Sequence, residues 1–198
     1  MAEGIINPGA LEPLFGPSDV PTHHRVRAKI KGEPAEIVKG RRPSPIVLAH
    51  NVRRDVAEWR EGDYGGASDT TRELLSHWFL RAHEVRSSAG ALVPFGYYFC
   101  QREAIETLIY LNEVRDIRTL SGLTEAFGGA DAEVAALGIA PAEDLWPKYA
   151  FKLATGAGKT KVMSLAITWS YFHSLRESDS LSWTALSSPP VVRPIWST

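Results

Sequence analysis

The stretch Tyr149-Ala150-Phe151-Lys152-Leu153-Ala154-Thr155-Gly156-Ala157-Gly158-Lys159-Thr160 decides how the chain is read, because its residue order is hard to explain by folding alone. Tyr149, Phe151 and Leu153 alternate with Ala150 and Lys152, the period of a strand. Gly156 and Gly158 then permit a tight bend and leave backbone N–H groups uncovered, so that several can converge on one anion. Lys159 stands where an ammonium reaches the outer phosphates of a nucleoside triphosphate, and Thr160 where a hydroxyl meets Mg²⁺. From Lys159 the pattern turns helical, which places a helix N-terminus and its partial positive charge behind the anion. Strand, glycine loop and helix together predict a phosphate-binding loop formed by Thr155, Gly156, Ala157, Gly158, Lys159 and Thr160, with Lys159 as its catalytic cation. Leu153 stands where the strict G-x-x-x-x-G-K-[ST] form has its first glycine; helicase-type loops put a small or apolar residue there. The bland alternative is a glycine-rich turn that happens to precede a helix.

Downstream of the loop, Val162, Met163, Leu165, Ala166, Ile167, Trp169 and Phe172 are apolar on more than one face, the pattern of a helix buried between a sheet and another layer. Upstream, Asp131 to Leu137 reads as a short helix stopped by Gly138, within a connector that runs over 116–147. Before it, Ala104, Ile105, Leu108, Leu111 and Val114 form a helical stripe preceded by Phe95, Tyr97, Tyr98, Phe99 and Gln101. Aromatic faces stack on a flat base and a glutamine amide can both donate to and accept from an adenine edge. Taken alone, such a cluster is more often plain core.

Two further helices are predicted nearer the N-terminus. One starts at Ser44-Pro45 and runs to about Arg60 on Leu48, Val52, Val56 and Trp59; the other starts at Ser68 to Thr71, with Thr70 and Glu73 at capping-box spacing, and runs to about His83. His77 and His83, like His23 and His24, lack the i, i+4 spacing that aims two rings at one ion from a helix, and read as packed or solvated histidines. Residues 1–43 carry six prolines and no sustained apolar period, and predict an extended arm with at most short strands.

With 198 residues, 44% of them hydrophobic, the chain has enough for a core and for one ordinary domain. Its net charge of −1 gives no bulk sign of a polyanionic partner. The distribution is uneven: Arg25 to Arg54 holds nine basic residues against Glu33 and Glu36, a local +7, so the remainder carries −8. That cluster reads either as a contact for a phosphate backbone or as a solvated arm. A single cysteine, Cys100, excludes an internal disulfide and fits a reducing cytoplasm. The first residues have no basic, then apolar, leader pattern, and Val162 to Leu175 is too short to span a bilayer.

Three stretches resemble one family: Arg41-Arg42-Pro43-Ser44-Pro45-Ile46-Val47, the run from Tyr97 to Leu111, and Tyr149 to Ser164. Together they look like the N-terminal part of the helicase-type subunit of type III restriction endonucleases, superfamily 2 DNA translocases, over about residues 10–176. The resemblance implies an α/β fold: an incomplete P-loop (RecA-like) motor domain over 91–176, preceded by a mostly helical accessory segment over 44–90 and the basic arm of 1–43. It implies ATP and Mg²⁺ as cofactors, Gln101 as the adenine reader, Thr160 as a Mg²⁺ ligand, DNA as a partner, and a methyltransferase subunit as a possible companion.

The same resemblance calls for an acidic motif and a second motor domain after the loop. After Thr160 the only carboxylates are Glu177 and Asp179, and prolines 189, 190 and 194 do not suit a central strand. Residues 177–198 therefore read as an irregular tail, out of frame in a truncated gene, and the chain alone is expected to bind nucleotide weakly and to turn over little. The rival readings are an unrelated phosphate-loop protein, such as a small phosphotransferase, and a non-enzymatic DNA-binding or interaction module built on Arg25 to Arg54.

Overall fold

The computed structural model describes residues 13–26, 35–128 and 149–177. The elements in order are β1 (His23–Val26), β2 (Glu36–Lys39), α1 (Val47–Glu61), α2 (Asp69–Phe79), β3 (His83–Arg86), β4 (Leu92–Phe95), α3 (Phe99–Ile109), α4 (Leu120–Phe127) and α5 (Lys159–Arg176). A π-helical turn, Tyr110–Val114, extends α3. The predicted helix at Asp131 to Leu137 and nearly all of the tail lie outside the described residues.

Helices form the body. α3 packs on both α1 and α5, α2 packs on α5, and α4 covers α1. Of the four apolar positions that predicted α1, Val52, Val56 and Trp59 are buried and Leu48 is partly buried. They meet Leu75 and Trp78 of α2, Ile105, Leu108 and Ile109 of α3, Phe127 of α4 and Leu165 and Trp169 of α5 in one continuous core. After α1 the backbone enters the left-handed region at Asp63 and Tyr64, φ 53° and 57°. That excursion costs about 1–2 kcal/mol per residue. It drops Tyr64 into the core edge-on to Trp59, at 4.9 Å between ring centres, where the indole N–H donates to Gly65 O at 2.9 Å.

Helix starts depart from expectation by a residue or two, for local reasons. α1 begins at Val47 with Ile46 as its N-cap, two residues beyond the predicted cap Ser44, whose hydroxyl accepts from Ile46 N–H at 3.2 Å and so organises the approach instead. α2 is capped by Ser68, whose hydroxyl accepts from Thr71 N–H, and the predicted Thr70–Glu73 box is not formed. Thr70 instead donates to Glu177, at the far end of α5, at 2.6 Å. α2 also ends at Phe79, because His83 already belongs to a strand.

The strands make two separate two-stranded antiparallel sheets. β1 and β2 pair with His23 opposite Lys39, and β3 and β4 pair with His83 opposite Phe95 around the Ser87–Gly90 turn. A mixed helix and strand composition was expected, but the predicted strand before the glycine loop is not formed: residues 149–154 join neither sheet. A strand exists only through its ladder, and no neighbour for this one lies among the described residues. Likewise, α5 is covered on one face only. Val162, Leu165, Trp169 and His173 are buried, whereas Met163, Ile167, Tyr171 and Leu175 form an outward stripe, each more than half exposed.

Two carboxylates, one buried and one partly buried, tie the helices together. Glu106 on α3 is fully buried; it accepts from Arg60 of α1 at 2.5 Å, from Arg102 at 2.8 Å and from the Tyr64 hydroxyl at 2.7 Å. Burial, with Glu106 alongside, pushes the Tyr64 phenol up to about 12, so it stays a donor. Glu113, presented by the π-helical turn, accepts from Ser68 N–H and the Thr71 hydroxyl, both at 2.5 Å, and lies 3.6 Å from His173 Nε2. Burial alone would raise its pKa, but these hydrogen bonds prevail and hold it at about 2. A depressed carboxylate stabilises the fold above its unfolded value and loses that contribution as pH falls. Stability is therefore expected to drop by on the order of 3 kcal/mol between about pH 4.5 and pH 2. Urea melts of Glu113→Gln should lack most of that pH dependence; an identical pH profile in the variant would refute this assignment.

Candidate nucleotide site

The glycine loop has the conformation its sequence requires. Gly156 and Gly158 both lie in the left-handed region, φ 82° and 72°, where only a residue without Cβ sits without strain. The chain turns between them through Ala157 N–H, which donates to Ala154 O at 3.2 Å. Gly158 is the N-cap of α5 and contributes no side-chain cap, and the first turn of α5 holds no acidic residue. The N–H groups of Gly156, Gly158, Lys159 and Thr160 consequently have no acceptor among the described residues. Together with the positive end of an 18-residue helix they make an anion-seeking surface.

Lys159 is exposed and bends back over the loop, where its ammonium donates to the carbonyls of Leu153 and Ala154, both at 3.2 Å. These are neutral acceptors that a phosphate oxygen outcompetes, since a hydrogen bond between two charged groups is about twice as strong. Thr160 is exposed, and its hydroxyl makes no hydrogen bond among the described residues. The donor set thus has the chemistry of an anion site, and the Thr160 hydroxyl beside it is open to solvent.

Gln101 is brought to the loop but in a different capacity from the predicted one. Only 4% exposed, it accepts from Tyr98 N–H at 3.0 Å, which caps the start of α3, and its Nε2 donates to Ala157 O at 2.9 Å. Both ends of the amide are engaged by the chain, so an adenine contact requires it to exchange partners. The aromatic cluster ahead of it is largely self-contained: Tyr97 meets Phe95 at 4.9 Å and Phe79 at 5.6 Å, and Phe99 is covered by the guanidinium groups of Arg41 and Arg60. Tyr98 alone of the four is exposed.

Gln101 and Gly158 constrain one another, because a Cβ on Gly158 would collide with Gln101 Nε2, whereas a Cβ on Gly156 would meet nothing within 4 Å. Gly156→Ala is expected to cost about 1–2 kcal/mol for the backbone alone. Gly158→Ala should cost about 1 kcal/mol more through the displaced hydrogen bond. Equal urea midpoints for the two variants would show that Gln101 does not seat the loop.

Behind the loop lies a cavity of ≈590 Å³ between α1, α3 and residues 149–154, with Val52, Leu108, Leu111, Tyr149, Phe151 and Leu153 among its walls. Of the loop residues Thr155–Thr160, only Ala157 lines it. His77 and His83 do approach, at 5.0 Å between rings, but His83 Nε2 is 2.6 Å from His77 O, and no third metal-ligating residue joins them among the described residues. Sequence reading missed the buried carboxylate Glu106 and the partly buried Glu113. The i, i+4 spacing of Arg102 and Glu106 was the one available sign.

Comparison of the chain with known protein families, with characterised proteins and with solved structures returned no match. No helix among the described residues is long and apolar enough to cross a membrane.

Proposed function

We propose that the chain binds ATP through Thr155–Thr160 and forms the nucleotide-binding front part of a DNA helicase or translocase of the type III restriction endonuclease kind. The observation that carries the nucleotide reading is the pair of left-handed glycines that ends on an uncapped helix N-terminus with Lys159 poised over the loop. Two left-handed glycines, open N–H groups and an exposed ammonium at one point together exceed what a tight turn requires. The helicase reading adds the resemblance of the three stretches quoted above and the placement of Gln101 against the loop.

When bound, Mg²⁺ supplies charge neutralisation at the phosphates. Thr160 is the residue here that would hold it, with Lys159 on the phosphate oxygens and the loop N–H groups orienting them. Glu177, at the far end of α5, accepts from the Thr70 hydroxyl of α2. Calorimetric titration tests the reading. ATP should bind in the presence of Mg²⁺ and AMP should bind far more weakly, because the contacts proposed are to the outer phosphates. Equal affinity for AMP and ATP, or no binding of either, would defeat it.

A further inference from the structure

The end of the N-terminal arm and the first turns of α1 enclose two adjoining clefts, of ≈260 Å³ and ≈450 Å³, which share Pro21, Arg41, Arg42, Pro43, Ser44 and Arg53 as a common wall. Five arginines line the first, Arg41, Arg42, Arg53, Arg54 and Arg60, facing only Glu61 and Glu103. The second is lined by Arg41, Arg42 and Arg53 with His23 and His24, and no carboxylate is among its lining residues.

Three of the arginines serve the protein itself. Arg41 grips Glu103 with both guanidinium nitrogens, Arg60 holds Glu106, and Arg54 pairs with Asp55 at 3.0 Å. The other two do not. Arg42 is exposed and has no partner among the described residues. Arg53, 45% exposed, reaches Glu103 only at 4.0 Å, and that carboxylate is already held by Arg41. Nearby, α1 starts without an acidic residue or a side-chain cap, which adds its positive end to the same field.

A single small anion needs only one cleft. Two adjoining clefts, with Arg42 and Arg53 in the wall common to both, suit a ligand that carries more than one phosphate. We propose that this trough binds the phosphodiester backbone of a nucleic acid, with Arg42 and Arg53 as the two phosphate contacts. The choice of a nucleic acid rests on the translocase reading above; the positive trough itself does not depend on the glycine loop.

The test is fluorescence anisotropy of the full 198-residue chain with a short labelled oligonucleotide, single-stranded and duplex, across a salt series. The double variant R42A/R53A should lose at least about tenfold in affinity, and for duplex the slope of log K against log salt should shrink by about 0.9 for each phosphate contact removed. R42K/R53K, which keeps the charge, should retain most of the binding. Lys39→Ala, outside both clefts, should change little. Three results overturn the proposal: wild-type affinity in R42A/R53A, an equal loss in Lys39→Ala, or no binding by the wild-type chain at low salt. Displacement of the oligonucleotide by inorganic tripolyphosphate at matched charge would also overturn it, by showing a simple anion site. ATP titration of the same preparations separates the two readings. If ATP fails to bind while DNA binding still needs Arg42 and Arg53, only the nucleotide reading falls. If ATP binds and R42A/R53A holds DNA normally, only the trough falls.

Discussion

Replacing Glu106 by alanine is expected to destabilise the chain by about 3–5 kcal/mol, the cost of removing one partner from a buried charge network. That is a large part of the 5–15 kcal/mol that holds an ordinary domain together. Glu106 is fully buried and is the common acceptor for Arg60, Arg102 and Tyr64. Arg60 is itself only 10% exposed. With the carboxylate gone, Arg60 keeps its charge, its place between α1 and Phe99, and no anion to balance it. Glu106→Gln separates charge from shape: it preserves the volume and one acceptor, and should fall between wild type and alanine. Equilibrium urea unfolding reads all three. A Glu106→Ala midpoint within error of wild type would mean that the network contributes nothing net, as happens when the desolvation of buried ions cancels their attraction.

Replacing Lys159 by alanine is expected to reduce ATP affinity by about 10- to 100-fold while leaving the thermal midpoint in place. A hydrogen bond to a charged group is worth about 1.5–3 kcal/mol, and each 1.4 kcal/mol is a factor of ten in affinity. Stability should be spared because Lys159 is exposed and its hydrogen bonds go to the carbonyls of Leu153 and Ala154, which water can satisfy equally well. Isothermal titration with Mg-ATP checks the first half and differential scanning calorimetry the second. Unchanged ATP affinity would remove the lysine from the site; a large drop in melting temperature would make it a structural cation instead.

The helical half of the molecule was legible because its signals are local. Val52, Val56 and Trp59 recur on one face of α1, and Ser68 caps α2 within a single turn. The glycine loop was legible for the same reason, since Gly156, Gly158 and the start of α5 follow one another directly. What depended on partners far along the chain was not. Alternation at Tyr149, Phe151 and Leu153 gives a strand only if a neighbour supplies the ladder. The hairpin of β3 and β4 carries Pro94 and charged residues, so its pattern resembled the end of a helix followed by a turn. Gln101 was named as the adenine reader through the family resemblance, but that both ends of its amide meet the chain itself follows only from the packing of α3 beside α5.

Gln101 thereby works as a shared rivet. The same amide that completes the first turn of α3 with its oxygen fastens Ala157 with its nitrogen, so one side chain spans both seams. A molecule that draws the loop toward itself pulls on the residue that caps α3, two positions from Phe99, which lies beneath Arg41 and Arg60. News of an occupied loop would in this way reach the arginine-lined face of α1 through one side chain and one ring.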